Sequence, residues 1–175
     1  MSLSVDATSN CEVSFDILGL DKTTATAIIA GATYVEPSST LDLIGIDVGT
    51  VSVAGFTGVC RALELSVEHD RETHDRFGNA TAAQIGTGGF RKVTGKLTFY
   101  RADLSADTLF DKSDANVAIS FSIGTGVNGY QFSIPAAVIS TPADETDGSK
   151  TLITLEFTAE FDTTAATDVS VTKLV

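Results

Sequence analysis

Positive charge is scarce in this sequence. Eleven Lys and Arg stand against 23 Asp and Glu, which gives a net charge of −12 and a pI of about 4.3 over 175 residues. Gripping the outside of a nucleic-acid duplex needs a basic footprint, so that class is excluded. A surface that DNA slides past without sticking is not. Tryptophan is absent and aromatics total 7%, so a platform for stacking bases or sugars is not supported. Only two cysteines occur, Cys11 and Cys60, far apart and outside any CxxC spacing. They read as small buried apolar side chains, with a disulfide or a zinc pair as the alternatives. No apolar run approaches the ~18 residues of a spanning helix. The start, Met1-Ser2-Leu3-Ser4-Val5-Asp6, has neither the basic nor the apolar stretch of a secretory leader. The expectation is a soluble protein made in a cytosol, without a membrane partner.

What the sequence does have is apolar content in alternation. Hydrophobic residues make up 43%, enough for a core, and a chain of this size buries roughly two-thirds of its unfolded surface. Ile153, Leu155, Phe157, Ala159 and Phe161 alternate with polar residues. So do Leu63, Leu65 and Val67; Val93, Gly95, Leu97 and Phe99; Val117, Ile119, Phe121 and Ile123; and Tyr130, Phe132 and Ile134. Period two is the signature of half-buried strands, so the chain is mainly β. Asn128-Gly129 predicts a tight hairpin turn with φ > 0 at both positions, and Pro135 is expected to end the strand that follows. Strands are also predicted over 13–18, 24–30, 32–36, 41–46 and 51–54, some of them in an arm without its own core. One short α-helix is expected over 105–111, capped by Ser105 and stapled by Leu104 against Leu109. There is no repeat and no Pro/Ser linker, so 1–175 is read as one domain.

Two features stand apart. Residues 69–92 form a long polar, glycine-bearing stretch between two good strands, and a loop of that length is usually functional or disordered. Charge is also uneven. Residues 1–60 hold seven acids and one base, for −6; residues 61–101 hold five acids and seven bases, for +2; residues 102–175 hold eleven acids and three bases, for −8. The middle is electrostatically complementary to both ends, either within one chain or between copies.

Catalytic patterns are weak. His69, Asp70, His74 and Asp75 match no helix-based zinc spacing and lack a third anchoring group. No G-x-S-x-G elbow occurs. Gly86-Thr87-Gly88-Gly89-Phe90-Arg91-Lys92 fails the P-loop pattern and leads into a strand, where no helix N-terminus is available to hold an anion. Glu64 and Glu68 share one strand face, and Glu156 and Glu160 share another. These four carboxylates suit a glycosidase pair, a plain solvated face or the lining of an acidic channel. No enzyme activity and no cofactor is expected.

From Ala62 onward the chain resembles the tail tube proteins of long-tailed bacteriophages. The resemblance rests on Ala62-Leu63-Glu64-Leu65-Ser66-Val67-Glu68-His69-Asp70-Arg71-Glu72, on Arg76-Phe77-Gly78-Asn79, and on Gly88-Gly89-Phe90-Arg91-Lys92-Val93-Thr94-Gly95-Lys96-Leu97-Thr98-Phe99-Tyr100. The short helix, Asn128 to Pro135 and a terminal strand follow in order. The resemblance implies a β-sandwich or β-barrel of two packed antiparallel sheets with one flanking helix and a long inter-strand loop. It implies hexameric rings stacked into a virion tail tube, assembled in the host cytoplasm, whose lumen conducts DNA as non-specific cargo. Its partners would be copies of itself and the tape measure, tail tip and terminator proteins. Loop residues His69, Asp70, Arg71, Glu72, His74, Asp75, Arg76, Arg91 and Lys92 would meet a neighbouring subunit. Glu64, Glu68, Glu156 and Glu160 would face the lumen. The alternatives are related non-catalytic parts: a tail terminator, a capsid decoration protein or a type VI secretion tube component.

Overall fold

A computed structural model of the chain describes residues 1–20, 31, 43–78 and 81–174. The strands predicted over 24–30 and 32–36 lie outside these residues. Thirteen strands are described: β1 (Ser2–Asp6), β2 (Glu12–Ser14), β3 (Ser52–Val53), β4 (Phe56–Thr57), β5 (Cys60–Glu68), β6 (Arg71–His74), β7 (Gln84–Thr87), β8 (Lys92–Tyr100), β9 (Asn116–Ile123), β10 (Tyr130–Ile139), β11 (Ala143–Asp147), β12 (Lys150–Ala159) and β13 (Ser170–Lys173). Eleven form one antiparallel sheet in the order β2-β1-β5-β8-β12-β10-β9-β3-β4, with β11 laddered to β12 and β13 to β10. β6 and β7 form a separate two-stranded sheet. The chain is therefore mainly β, as the alternation predicts.

Register explains the core. Leu3, Leu65, Gly95 and Phe157 lie side by side across β1, β5, β8 and β12, and Val5, Leu63, Leu97 and Leu155 form the next row. All but Gly95 are buried. The glycine is required, because a Cβ there would sit 2.4 Å from both the Glu64 carbonyl oxygen and the Phe157 ring. The aromatic ring takes the place of the missing side chain. The same face of β9 and β10 adds Ile119, Phe121 and Ile134, and Phe121 stacks on Phe132 at 4.8 Å.

The sheet curls on itself without closing into a barrel. Phe56, near one end of the strand order, packs edge-on against Phe99 in the middle, at 5.5 Å. Residues 43–49 stitch the two ends together by isolated bridges, Asn10 to Ile44 and Val48 to Ile123, instead of a ladder.

Several local expectations are corrected. The β9–β10 hairpin exists, but its loop spans residues 124–129, and positive φ falls on Gly124 (78°) and Gly126 (53°). Gly129 has φ −102°. A 3-10 turn at Gly126–Asn128 takes up the slack, so the two-residue turn chemistry of Asn-Gly is not used. Pro135 does not end β10. The register shifts between Ile134 and Ala137, and this bulge lets the strand pass a residue that has no N–H to give the ladder. On its other side β10 changes partner there, from β13 to β12. The helix is a 3-10 helix over Leu104–Lys112, capped by Asp103, whose carboxylate accepts the Ser105 N–H at 2.7 Å. Leu104 is exposed, so the staple is not made, while Ala106 and Leu109 are buried. β2 (Glu12–Ser14) covers only the first two residues of the segment 13–18, and the described part of 41–46 holds a bridge at Ile44 and the start of a short 3-10 helix, Gly45–Asp47.

Candidate assembly surfaces

The described residues of the stretch 69–92 form a hairpin arm. β6 and β7 pair Arg71 with Thr87, Glu72 with Gly86, Thr73 with Ile85 and His74 with Gln84. Pairing extends one step further at the foot, where Gly88 N–H bonds the Asp70 carbonyl at 2.9 Å. The Gln84 amide meets His74 Nδ1 at 3.2 Å, and the His74 ring lies against Gly86. All four residues of β6 are exposed. With no face to bury, the arm has no apolar period, so the sequence shows a loop where the chain forms strands. Among the described residues no group of three or more His, Cys, Asp or Glu is placed to hold a metal ion.

The arm carries conspicuous apolar exposure. Phe77, between the two strands, and Phe90, beyond β7, are fully exposed. At its foot an open cleft of about 640 Å³ is lined by Ile17, Leu18, Val67 and Ile85, with Glu68 and Arg71 among its charged groups.

The cations of the middle segment divide in two. Arg61 pairs with Asp147 at 2.7 Å, Arg101 with Asp107 and Asp144, and Arg91 with Asp168. All these partners belong to the acidic segment 102–175 of the same chain. Charge complementarity is thus met in part inside one subunit. Arg91 in particular is tied down: its Nε donates to Asp168 at 2.9 Å, and Asp168 is 8% exposed. Arg71 and Arg76 have no ion pair among the described residues.

The four carboxylates sit on the face of the sheet opposite the core. One row runs Ser4, Glu64, Lys96, Glu156, and the next Ser2, Ser66, Thr94, Thr158. Glu68 lies opposite Lys92, and Glu160, just past β12, accepts from the Asn116 amide at 3.3 Å. The face is polar and built of small hydroxyls, with Lys96 flanked by two glutamates. It floors an open groove of about 600 Å³. The four acids therefore share one region, but Lys92 and Lys96 lie among them.

Sequence reasoning missed β1, although Leu3 and Val5 alternate and are buried. It also missed the ion pairs, which join residues far apart in the chain. The cysteines are free, and both pack against the core. Burial pushes the Cys60 thiol up to about 11 and raises Cys11 as well, which makes them poor nucleophiles. No helix among the described residues is long and apolar enough to cross a membrane.

An arm outside the main sheet, arginines on it without an ion pair among the described residues and a polar sheet face are features of a protein that works by meeting other macromolecules. The chain matches the phage tail tube protein family over residues 1–162 and belongs to that family. It is a structural tail protein of the virion. The match takes in the first sixty residues and stops before Asp168 and β13. No curated protein matches the chain.

Proposed function

We propose that the chain acts as one tail-tube domain that polymerises into stacked rings, hexameric as in the resembling proteins. The lumen would conduct DNA into the host, and tape measure, tail tip and terminator proteins would meet the ends of the tube. The observation that carries this reading is the β6–β7 arm. It is a second sheet with no ladder to the first, and on a chain of charge −12 it presents Arg71 and Arg76 unpaired among the described residues. A cation on a projecting arm steers toward the acidic surface of another copy. Arg91, which has its own partner, holds the foot of the arm and leaves docking to Arg71 and Arg76. His69, Asp70, Glu72, His74, Asp75 and Lys92 supply the polar rim of that contact. The arm is expected to be locally unprotected in the free subunit and ordered in the tube.

The polar sheet face suits a lumen. Hydroxyls and carboxylates offer the phosphate backbone no cluster of cations, and Lys92 and Lys96 are offset by Glu68, Glu64 and Glu156. DNA would pass without being held. Negative-stain electron microscopy of the concentrated protein tests the reading. Long tubes with a central hole are expected. Rings that never stack would favour a terminator, and a strictly monomeric sample would favour a decoration protein.

A further inference from the structure

We infer that residues 13–20 are an assembly strand, which adds to the free edge of β13 in a neighbouring copy of this chain. The inference rests on the assembly reading above and names one of its contacts. Alternating residues Val13, Phe15 and Ile17 are 45%, 67% and 91% exposed, and Leu18 and Leu20 are exposed beside them. These are five of the thirteen large apolar side chains that stand exposed among the described residues. The pattern specifies a strand over 13–18, yet the ladder of β2 with β1 stops at Ser14 opposite Ser2. Beyond it the described residues supply 15–20 with no strand partner. An apolar, strand-forming segment running on from a sheet edge is an aggregation hazard unless a specific partner covers it.

Among the described edges β13 fits the segment by charge: the outer edge of β6 carries Glu72 and that of β7 carries no cation to meet Asp16. Self-pairing would set Asp16 against its own copy if parallel and in register, or against Glu12 if antiparallel about Ser14, and like charges opposite one another destabilise a ladder. β11 carries Asp144, Glu145 and Asp147 and repels for the same reason. β4 is two residues long. β13 (Ser170–Lys173) carries no acid, has Lys173, and is laddered on one side only. Its Val171 is 52% exposed beside the buried Phe132, and Tyr130 opposite Lys173 is 44% exposed, so apolar surface stands open at this edge. An added strand bearing Phe15 and Ile17 would cover it. The contact joins two different surfaces, so it repeats head to tail and either closes a ring or propagates.

The test uses two full-length single variants, Ile17→Cys and Val171→Cys, each alone and mixed under mild oxidation. The mixture should give at least about tenfold more disulfide-linked dimer than either variant alone, because only the mixture sets the two thiols opposite each other. The native Cys60 thiol, at about 11, contributes little. Equal dimer yields in all three samples would overturn the inference. Exposed-site substitution gives a second reading. Phe15→Ser/Ile17→Ser should keep the wild-type melting temperature and lose the large species in sedimentation velocity. If wild type assembles and this variant assembles equally, the strand contact is wrong and the assembly reading stands. If wild type sediments only as a monomer at every concentration, both fall.

Discussion

The β5–β8–β12 centre of the sheet and the β6–β7 arm are built from adjacent sequence and obey different rules. In the centre the apolar side chains alternate and most of them are buried, and register is fixed because a one-residue slip would turn the core face to water. In the arm nearly every side chain is exposed, and the strands are held by their own ladder and by His74 against Gly86. The centre has its partners inside the chain. The arm, like residues 15–20, has no strand partner in the main sheet among the described residues and presents its side chains outward. The contrast separates what this sequence spends on folding from what it presents to other molecules.

The contrast can be broken by substitution. Phe99→Ala should cost about 3–5 kcal/mol, because the ring is fully buried and its removal leaves a cavity. Phe77→Ala on the arm should leave stability within about 0.5 kcal/mol and reduce assembly. Equal stability losses in chemical denaturation would erase the distinction. Gly95→Val should come next, at about 1–3 kcal/mol or more, since Phe157 and the β5 backbone must move. Loss of the long apolar row should show as a lower midpoint with an unchanged denaturant slope.

A charge comparison sharpens the boundary. Arg91→Glu should destabilise by about 1–2 kcal/mol, discounted for partial exposure of the arginine, because it leaves the buried Asp168 facing a like charge. Arg71→Glu/Arg76→Glu should leave the melting temperature nearly unchanged and cut tube yield. Unaltered tube yield would remove these two arginines from the docking surface.

The smallest effect is a pH effect. The folded Cys60 thiol is raised from 9.0 to about 11, so the unfolded chain loses its proton first. Stability should be unaffected by this group below pH 9 and fall as pH rises from 9 toward 11. Cys60→Ala should flatten that part of the stability curve relative to wild type, and parallel curves would show that the thiol contributes nothing.

The same contrast sets how much could be read from sequence. All five alternating segments contain strands, because burial of one face forces period two on the sequence, but β12 ends at Ala159 and Phe161, expected to continue its buried face, is exposed. β6 and β7 bury little and left no such trace, so their ladder was invisible. β1 carried the trace in Leu3 and Val5 over too few residues to stand out. Asn128-Gly129 and Pro135 were misleading because tertiary pairing overrode local preference: a longer turn uses Gly124 and Gly126, and a bulge passes the proline. The candidate surfaces were legible as residue types. Their division was not, because which arginines are free depends on Asp107, Asp144, Asp147 and Asp168 being brought back across the fold.

Amide hydrogen exchange on free subunit and assembled tube tests the division most directly. β8 and β12 should be protected in both states, and residues 69–92 should exchange fast in the subunit and slowly in the tube. Equal protection of 69–92 in the two states would contradict the assignment of the arm to assembly.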